Sequence, residues 1–169
     1  MQEELIIAGA GGQGILLIGK IICLAAMEED EYTTRFPSYG PAMRGGEATC
    51  TVIVSSEEIG SPMSDCPDSL IVMNRPSLKF VKLLKPGGLF ILNKSLADWD
   101  ARRNDIKVVE IRASEISQKI GSPMSANLVM LGAYLKEKKI FSLEKIEKIL
   151  EKEPGYELNK KALREGFSV

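Results

Sequence analysis

The sequence feature that most restricts the fold is a glycine-rich segment between an apolar run at residues 4–9 and a second apolar run that begins at Ile15. Gly9, Gly11 and Gly14 have the spacing G-x-G-x-x-G, which predicts a phosphate-binding turn when a strand precedes it and a helix follows. Glycine adopts backbone angles that other residues avoid, and it lets N–H groups at a helix N-terminus approach an anion closely. A tight turn that binds nothing would have the same pattern.

Composition restricts the size and the partners of the protein. The chain has 169 residues, of which 44% are hydrophobic and 27% charged, so we expect one soluble globular domain spanning residues 1–169. A formal net charge of −1 gives no field for holding a polyanion, and we expect neither nucleic acid nor a membrane as partner. No basic segment precedes an early apolar run, and no apolar stretch is long enough to cross a bilayer. We therefore expect a cytoplasmic protein.

The residues that most often carry catalysis and metal binding are scarce. Histidine is absent, which removes the commonest general base and metal ligand. The three cysteines, Cys23, Cys50 and Cys66, are too far apart in sequence to predict a disulfide framework or a metal site. We predict no catalytic residue and no metal site in this chain, and we expect two of the cysteines to lie in the core.

Short apolar runs alternate with segments of helical periodicity along the whole chain. Strands are predicted at residues 4–9, 31–35, 48–54, 69–73, 89–93 and 107–111. Helices are predicted at residues 13–27, 77–84, 114–119, 126–138 and 143–151, and Pro154-Gly155 is expected to end the last one. The alternation predicts an α/β fold with a single Rossmann-like, doubly wound sheet and helices on both faces.

A short sequence occurs twice. Ile-Gly-Ser-Pro-Met-Ser stands at residues 59–64 and again at residues 120–125, with unrelated flanking sequence. The simpler interpretation is that two Gly-Ser-Pro turns converged in sequence. A second hypothesis is that both copies lie at one shared face of the protein.

A second informative segment, residues 32–46, carries Arg35 and Arg44 and no acidic residue. In a doubly wound fold it follows the first helix, so we expect it to meet the glycine turn at the carboxyl ends of the strands. Arg44 could hold a phosphate through its guanidinium or could brace the loop by pairing with an acid. The acids at residues 28–31 precede the second strand, whereas an NAD site needs one at its end.

Taken together, the two glycine motifs resemble those of the gamma subunit of 2-oxoacid:ferredoxin oxidoreductases. They are Gly-Ala-Gly-Gly-Gln-Gly at residues 9–14 and Tyr-Gly-Pro-Ala-Met-Arg-Gly-Gly at residues 39–46. The resemblance continues through residues 59–62, 67–68 and 85–88 and through Asn127 ahead of Leu131-Gly132. It therefore covers nearly the whole chain.

The resemblance implies one subunit of an enzyme that decarboxylates a 2-oxoacid on thiamine diphosphate. Electrons would pass through iron–sulfur clusters to ferredoxin, and the acyl group would pass to coenzyme A. Alpha, beta and ferredoxin-like delta subunits would hold the thiamine diphosphate and the clusters, so this chain would bind no cofactor alone. It would shape the assembly and help to receive coenzyme A. The expected substrate is 2-oxoglutarate, followed by pyruvate or a branched-chain oxoacid.

The residues expected to contact coenzyme A come from both motifs and from one asparagine. They are Gly9, Gly11, Gly12, Gln13, Gly14, Arg44, Gly45, Gly46 and Asn127. The side chain of Gln13 could donate to the ligand or merely cap the helix, and Asn127 could be a polar contact or a first-turn residue with no ligand. Two other functions remain open, a free-standing NAD(P)-binding enzyme and a purely structural scaffold subunit.

Overall fold

A mixed six-stranded sheet forms the centre of the protein. The structure is a computed structural model that describes residues 1–41, 45–100 and 103–169. The strands are β1 (Gln2–Ala10), β2 (Tyr32–Tyr39), β3 (Glu47–Ser55), β4 (Ser69–Val72), β5 (Leu89–Asn93) and β6 (Lys107–Ile111). Their order in the sheet is β2-β3-β1-β4-β5-β6. β1, β4, β5 and β6 are parallel, and β3 is antiparallel to both of its neighbours.

Helices cover both faces of this sheet, which confirms the predicted α/β class. The α-helices are α1 (Ile15–Met27), α2 (Ala113–Lys119), α3 (Ala126–Lys138), α4 (Leu143–Leu150) and α5 (Tyr156–Ser168). Their apolar side chains form one large core cluster with the sheet. The opposite face is covered by a 3₁₀ helix (Arg75–Leu83) and by Trp99. The rings of Trp99 and Phe90 pack edge to face, with their centroids 5.7 Å apart.

Helix α3 is buried on all sides over residues 126–135, as the nearly continuous apolar sequence of this part predicts. It lies against α5, which is not among the predicted helices because Pro154-Gly155 is a typical helix end. Gly155 has φ 75°, and this left-handed residue lets the chain leave α4 and begin α5 at once. The Pro-Gly pair is therefore a corner between two helices.

Two glycines set the distance between α3 and α5. A Cβ atom built on Gly132 would lie 2.1 Å from the Leu163 carbonyl oxygen, and one built on Gly166 would lie 1.9 Å from the Val129 carbonyl oxygen. Both neighbours are backbone atoms, which cannot turn away as a flexible side chain can. The two helices therefore touch backbone to backbone at these positions.

The sheet differs from a fully parallel doubly wound sheet at its β2–β3 side. Strand β3 returns antiparallel and occupies the place beside β1. Since β2 runs in the direction of β1, the connection between β2 and β3 lies at the carboxyl end of β1. The predicted contact between this connection and the glycine turn is confirmed by a 2.9 Å hydrogen bond from the Gly11 N–H to the Gly46 carbonyl.

The two copies of Ile-Gly-Ser-Pro-Met-Ser lie at opposite ends of the sheet, so the hypothesis of a shared face is wrong. The first copy follows β3 at the end where Ser55 pairs with Gln2, and its Ser64 donates a hydrogen bond to Glu4. The second copy leads into α3, whose Asn127 contacts Gly14 at the carboxyl end of β1. The shared sequence reflects two separate turns.

Burial separates the three cysteines. Cys50 is fully buried, and the loss of solvation raises the pKa of its thiol to about 11. Cys23 is half-buried against the core, and burial also raises the pKa of its thiol. Cys66 is exposed. Two cysteines were expected in the core. Cys50 lies fully in it, and Cys23 is partly buried against it.

A buried carboxylate lies at the amino end of the sheet. Glu3 accepts hydrogen bonds from the Ser69 hydroxyl at 2.6 Å and the Tyr134 hydroxyl at 3.1 Å, and it pairs with the Lys138 ammonium at 2.8 Å. Tyr134 is fully buried, and that burial together with the nearby carboxylate raises the pKa of its hydroxyl. Glu3 therefore joins β1, β4 and α3 through one carboxyl group.

Replacing Glu3 by alanine is expected to lower the free energy of unfolding by about 3 kcal/mol, because two hydroxyls and the partly exposed ammonium of Lys138 lose their acceptor together. Tyr134→Phe removes only one of these donors, so we expect a loss of about 1 kcal/mol. Urea unfolding followed by circular dichroism measures both changes. Equal losses in the two variants would show that the carboxylate is not the shared acceptor.

A bidentate ion pair joins α4 to α5. The Arg164 guanidinium donates to both carboxylate oxygens of Glu147, at 2.5 and 3.0 Å. These hydrogen bonds hold the pKa of Glu147 below its ordinary value of 4.5. Because the pKa is lower in the folded protein than in the unfolded chain, the pair stabilises the fold above pH 4.5 and loses this effect as pH falls through the lowered pKa.

We therefore expect acid to weaken the wild-type protein more than a Glu147→Gln variant. Unfolding by urea at a series of pH values from about 6 to about 3 gives the stability difference between the two proteins. That difference should be constant at the upper end and should shrink below pH 4.5. A difference independent of pH over the whole series would contradict the assignment.

Candidate functional site

The glycine turn connects β1 to α1 at the carboxyl ends of the parallel strands. Gly14 is the N-cap of α1 with φ 72°, no side chain in the described part of the sequence caps the helix, and its first turn contains no acidic residue. The first N–H groups of an α-helix have no acceptor within the helix, and the helix dipole makes this end positive. The N-terminus of α1 is therefore suited to an anion that comes from outside the helix.

Hydrogen bonds inside the turn leave fewer free donors than the sequence predicted. The Gly11 N–H donates to Gly46, as described above, and the Gln13 N–H donates to the Ala10 carbonyl at 3.2 Å. The Gln13 side chain accepts the Ala10 N–H at 2.7 Å, so its carbonyl oxygen braces the turn. Among the residues described, the N–H groups of Gly12 and Gly14 have no such acceptor. Within the turn, these two N–H groups are available to a ligand.

Three glycines of the turn, Gly9, Gly12 and Gly14, are needed for different reasons. A Cβ on Gly9 would lie 2.6 Å from the Gln13 Oε1 atom, and one on Gly14 would lie 2.2 Å from the Asn127 Nδ2 atom. No described atom lies within 4 Å of a Cβ position on Gly12, but Gly12 has φ 90°, a conformation that other residues rarely adopt. Gly11 has neither restriction, since the nearest atoms to its Cβ position lie at 4.0 Å.

Asn127 holds the turn from the α3 side. It is 3% exposed, and its Nδ2 group donates to the Gly14 carbonyl at 3.2 Å. This hydrogen bond joins the N-termini of α1 and α3. Asn127 therefore positions the backbone of Gly14, in addition to lining the cavity on that side of the turn.

The second motif approaches the turn from the β2–β3 side. Gly45 has φ 69°, and Gly46 supplies the carbonyl that accepts the Gly11 N–H. Arg44, the predicted phosphate ligand, lies outside the described residues. Arg35 is in β2, where its guanidinium donates to the Leu16 carbonyl of α1 at 3.4 Å.

Two cavities flank the turn and share Gly12, Gly14 and Leu17 in their walls. The first, of about 400 Å³, continues along Ile15 and Leu16 to Tyr39. The second, of about 460 Å³, is closed by the beginnings of α3 and α5. An extended ligand can therefore lie across the turn with its anionic part over Gly12 and Gly14.

Sequence reasoning missed the polar wall of the second cavity. Its hydroxyl and amide side chains include Ser122, Ser125 and Asn159, and the Ser125 hydroxyl donates to the Asn159 Oδ1 atom at 3.0 Å. The two serines belong to the second Ile-Gly-Ser-Pro-Met-Ser copy, so that copy was a usable signal. Asn159 gave none, because it lies on the helix that was not predicted.

The acidic residues before β2 lie too far from the glycine turn to serve a nicotinamide site. Residues 28–31 precede β2, which runs parallel to β1. Their carboxylates therefore lie at the amino ends of these strands, opposite the glycine turn. The place beside β1 is taken by the antiparallel strand β3. The geometry does not favour the free-standing NAD(P)-binding alternative.

The described residues offer neither a cluster of metal ligands nor a membrane-spanning helix. Within residues 1–41, 45–100 and 103–169, no three or more His, Cys, Asp or Glu side chains cluster in a way that could hold a metal ion. Over the same ranges, no helix has the length and apolarity needed to cross a membrane.

Comparison with known proteins identifies the class. Residues 4–169 match the family described as pyruvate ferredoxin/flavodoxin oxidoreductase, and the chain belongs to this family. It is 34% identical to the KorC subunit of 2-oxoglutarate synthase from Methanocaldococcus jannaschii, over 100% of this chain and 94% of KorC. It is 38% identical to the VorA subunit of ketoisovalerate oxidoreductase from Methanothermobacter marburgensis, over 76% of this chain. The aligned part makes up only 27% of VorA, so this chain corresponds to about a quarter of that longer protein.

Solved structures confirm the resemblance to gamma subunits. The gamma subunit of a keto/oxoacid ferredoxin oxidoreductase from Geobacter sulfurreducens superposes with a TM-score of 0.88 at 29% identity, over 99% of this chain and 95% of that one. Subunit PORC of pyruvate oxidoreductase from Thermotoga maritima superposes with a TM-score of 0.80 at 27% identity, over 99% and 96% of the two chains. The mixed sheet with helices on both faces is thus the fold of these subunits.

Proposed function

We propose that this chain works as the gamma subunit of a multi-subunit 2-oxoacid:ferredoxin oxidoreductase and that its glycine turn receives a phosphate group of coenzyme A. The observation that carries the second part is that Gly12 and Gly14 line two cavities and that their N–H groups have no acceptor within residues 1–41, 45–100 and 103–169. Backbone donors at an uncapped helix N-terminus favour a phosphate over a neutral ligand.

The role of each subunit in the proposed complex is inferred from the family resemblance. Alpha and beta subunits hold thiamine diphosphate and carry out the decarboxylation, and a ferredoxin-like delta subunit holds iron–sulfur clusters that pass electrons to ferredoxin. This chain binds none of these cofactors alone and contributes no catalytic side chain. It completes the assembly and positions coenzyme A for acyl transfer, in the cytoplasm.

The proposed substrate of the complex is 2-oxoglutarate. KorC, which is named for 2-oxoglutarate synthase, aligns with this chain over nearly the full length of both proteins. A branched-chain oxoacid is the second candidate, because VorA has the higher identity over the part that aligns. Rates of ferredoxin reduction with 2-oxoglutarate, pyruvate and ketoisovalerate distinguish these candidates.

Replacing Gly12 by leucine tests the coenzyme A site. The added side chain strains a residue with φ 90° and fills the space in front of the donors. In the assembled enzyme we expect KM for coenzyme A to rise at least about tenfold while kcat changes little, because ground-state binding is lost. Gly87→Leu is the matched control, since Gly87 has φ 78° and open surroundings but lies at the opposite end of the sheet.

The alternatives give different results in the same experiment. A scaffold subunit, whose turn is only structural, would leave KM for coenzyme A unchanged in an intact Gly12→Leu complex. A free-standing dinucleotide enzyme would bind NAD or NADP saturably as an isolated chain. Either result would remove the coenzyme A assignment.

A further inference from the structure

The two edges of the sheet are protected very differently. Strand β6 has five residues, and its Lys107 and Glu110 are engaged in ion pairs. Strand β2 has eight residues, six of them exposed, and Arg35 carries its only charge. Natural proteins keep exposed edge strands short or charged, because unpaired backbone groups recruit another strand. On β2 the features of this kind are the charge of Arg35 and the missing N–H of Pro37, so most of the strand is open to pairing.

Exposed aromatic side chains are concentrated on the same strand. Tyr32, Phe36 and Tyr39 are 53%, 42% and 63% exposed, in a chain that has only four tyrosines, five phenylalanines and one tryptophan. Tyr32 and Phe36 lie on one face of β2, because residues an even number apart along a strand share a face. Aromatic residues are enriched at the centres of protein interfaces.

The backbone groups that β2 leaves free can be assigned from the register. The Gly40 N–H donates to the carbonyl of Glu47 directly opposite, at 2.7 Å. In an antiparallel ladder every second residue bonds to the same neighbour, so the N–H and carbonyl groups of Thr33, Arg35 and Tyr39 point away from β3. Pro37 also points outward, but it has no N–H to donate.

We propose that β2 pairs with β2 of a second copy of this chain, antiparallel, about a two-fold axis at Thr34. Thr33 then faces Arg35 of the second copy, and each pair exchanges two backbone hydrogen bonds. Pro37 faces Glu31 of the second copy, whose N–H already donates to the Ala26 carbonyl at 3.1 Å, so the ladder ends there. The two sheets join into one of twelve strands.

Other registers are disfavoured by particular residues. An axis at Arg35 places two like charges directly opposite each other. An axis at Phe36 brings Pro37 inside the ladder, where its ring meets a carbonyl that needs a donor. The axis at Thr34 avoids the like-charge pair and keeps Pro37 out of the ladder. It also lets the free backbone groups of both Thr33 and Arg35 form hydrogen bonds.

Side chains complement each other in the proposed register. Tyr32 lies opposite Phe36 of the second copy, twice by symmetry, and cross-strand aromatic pairs stabilise antiparallel ladders. On the other face, Arg35 reaches diagonally to Glu31 of the second copy, which pairs opposite charges. A second copy is therefore an occupant of this edge that the sequence of β2 itself specifies.

Disulfide trapping of the full chain tests the register. In the proposed dimer the two Thr34 Cα atoms are about 4.5 Å apart, within the range that a disulfide spans. We expect Thr34→Cys, in a Cys66→Ser background, to form a covalent dimer under mild oxidation. The matched Thr33→Cys and Phe36→Cys variants should stay monomeric on denaturing gels. Cross-linking of Phe36→Cys in place of Thr34→Cys would overturn the register.

Light scattering of the untrapped full chain tests the association itself. We expect a dimer at high concentration, and we expect Phe36→Lys to weaken it at least about tenfold while circular dichroism shows an unchanged fold. A wild-type chain that stays monomeric at every concentration would overturn the proposal. So would a Phe36→Lys chain that dimerises normally, or one that only fails to join other subunits of the complex. These results do not depend on whether the glycine turn binds coenzyme A.

Discussion

Replacing Gly132 by leucine is expected to lower the free energy of unfolding by more than about 4 kcal/mol, which is enough to unfold many domains. The added side chain has no room, since even a Cβ atom would lie 2.1 Å from the Leu163 carbonyl oxygen and 2.7 Å from the Phe167 nitrogen. Relief requires α5 to move away from α3 as a whole, which opens the core that both helices close. Thermal and urea unfolding of the purified chain measure the effect.

The reciprocal position should be sensitive to an even smaller change. A Cβ on Gly166 would lie 1.9 Å from the Val129 carbonyl oxygen, so Gly166→Ala is expected to destabilise although alanine favours helices. Gly60→Leu is the control, because nothing lies within 4 Å of its Cβ position and its φ is not positive. Wild-type stability in the Gly132 and Gly166 variants would contradict the backbone contact between α3 and α5.

Replacing Gly14 by alanine is the second change with a large expected effect. A residue other than glycine at φ 72° costs about 1–2 kcal/mol, and the new methyl group also overlaps the Asn127 side chain. We expect a total loss of at least about 3 kcal/mol in unfolding free energy and weaker binding of coenzyme A by the assembled enzyme. Gly11→Ala, which has space and no positive φ, should stay within about 0.5 kcal/mol of wild type.

A double-mutant cycle separates the two parts of the Gly14 effect. Asn127→Ala removes the Nδ2 and Cγ atoms that lie 2.2 and 2.8 Å from the Cβ position of Gly14. The steric part should disappear in the double variant, so its loss should be smaller than the sum of the two single losses. Strict additivity would show that Asn127 does not press on this turn.

The sequence predicted the elements whose hydrophobic pattern is strong and local. Strands β1, β3, β4 and β5 are apolar runs, and α3 has no polar face, so each was located within a few residues. The edge strand β2 was predicted too short because its exposed end, Phe36 to Tyr39, has no buried face to impose an alternation. Helix α5 was missed because Pro154-Gly155 is as compatible with a corner as with a stop.

The direction of a strand relative to its neighbours, and the hydrogen-bond partners of the turn, could not be derived from local sequence patterns. Nothing in the residues of β3 distinguishes a parallel from an antiparallel neighbour of β1. The meeting of the two glycine motifs was predicted correctly, because it depends only on which strand ends share an edge. The use of the Gly11 and Gln13 N–H groups inside the protein depends on the folded geometry of residues 10–46, which spacing does not encode. The same is true of the contact between Asn127 and Gly14, which are 113 residues apart.

Isolation of the chain from its native cells through an affinity tag tests the central claim most directly. If the chain is the gamma subunit of a 2-oxoacid:ferredoxin oxidoreductase, larger subunits with thiamine diphosphate and iron–sulfur clusters should be recovered with it in fixed proportion. The sample should also reduce ferredoxin when it is given a 2-oxoacid and coenzyme A. Recovery of the chain without such subunits, and without this activity, would contradict the claim.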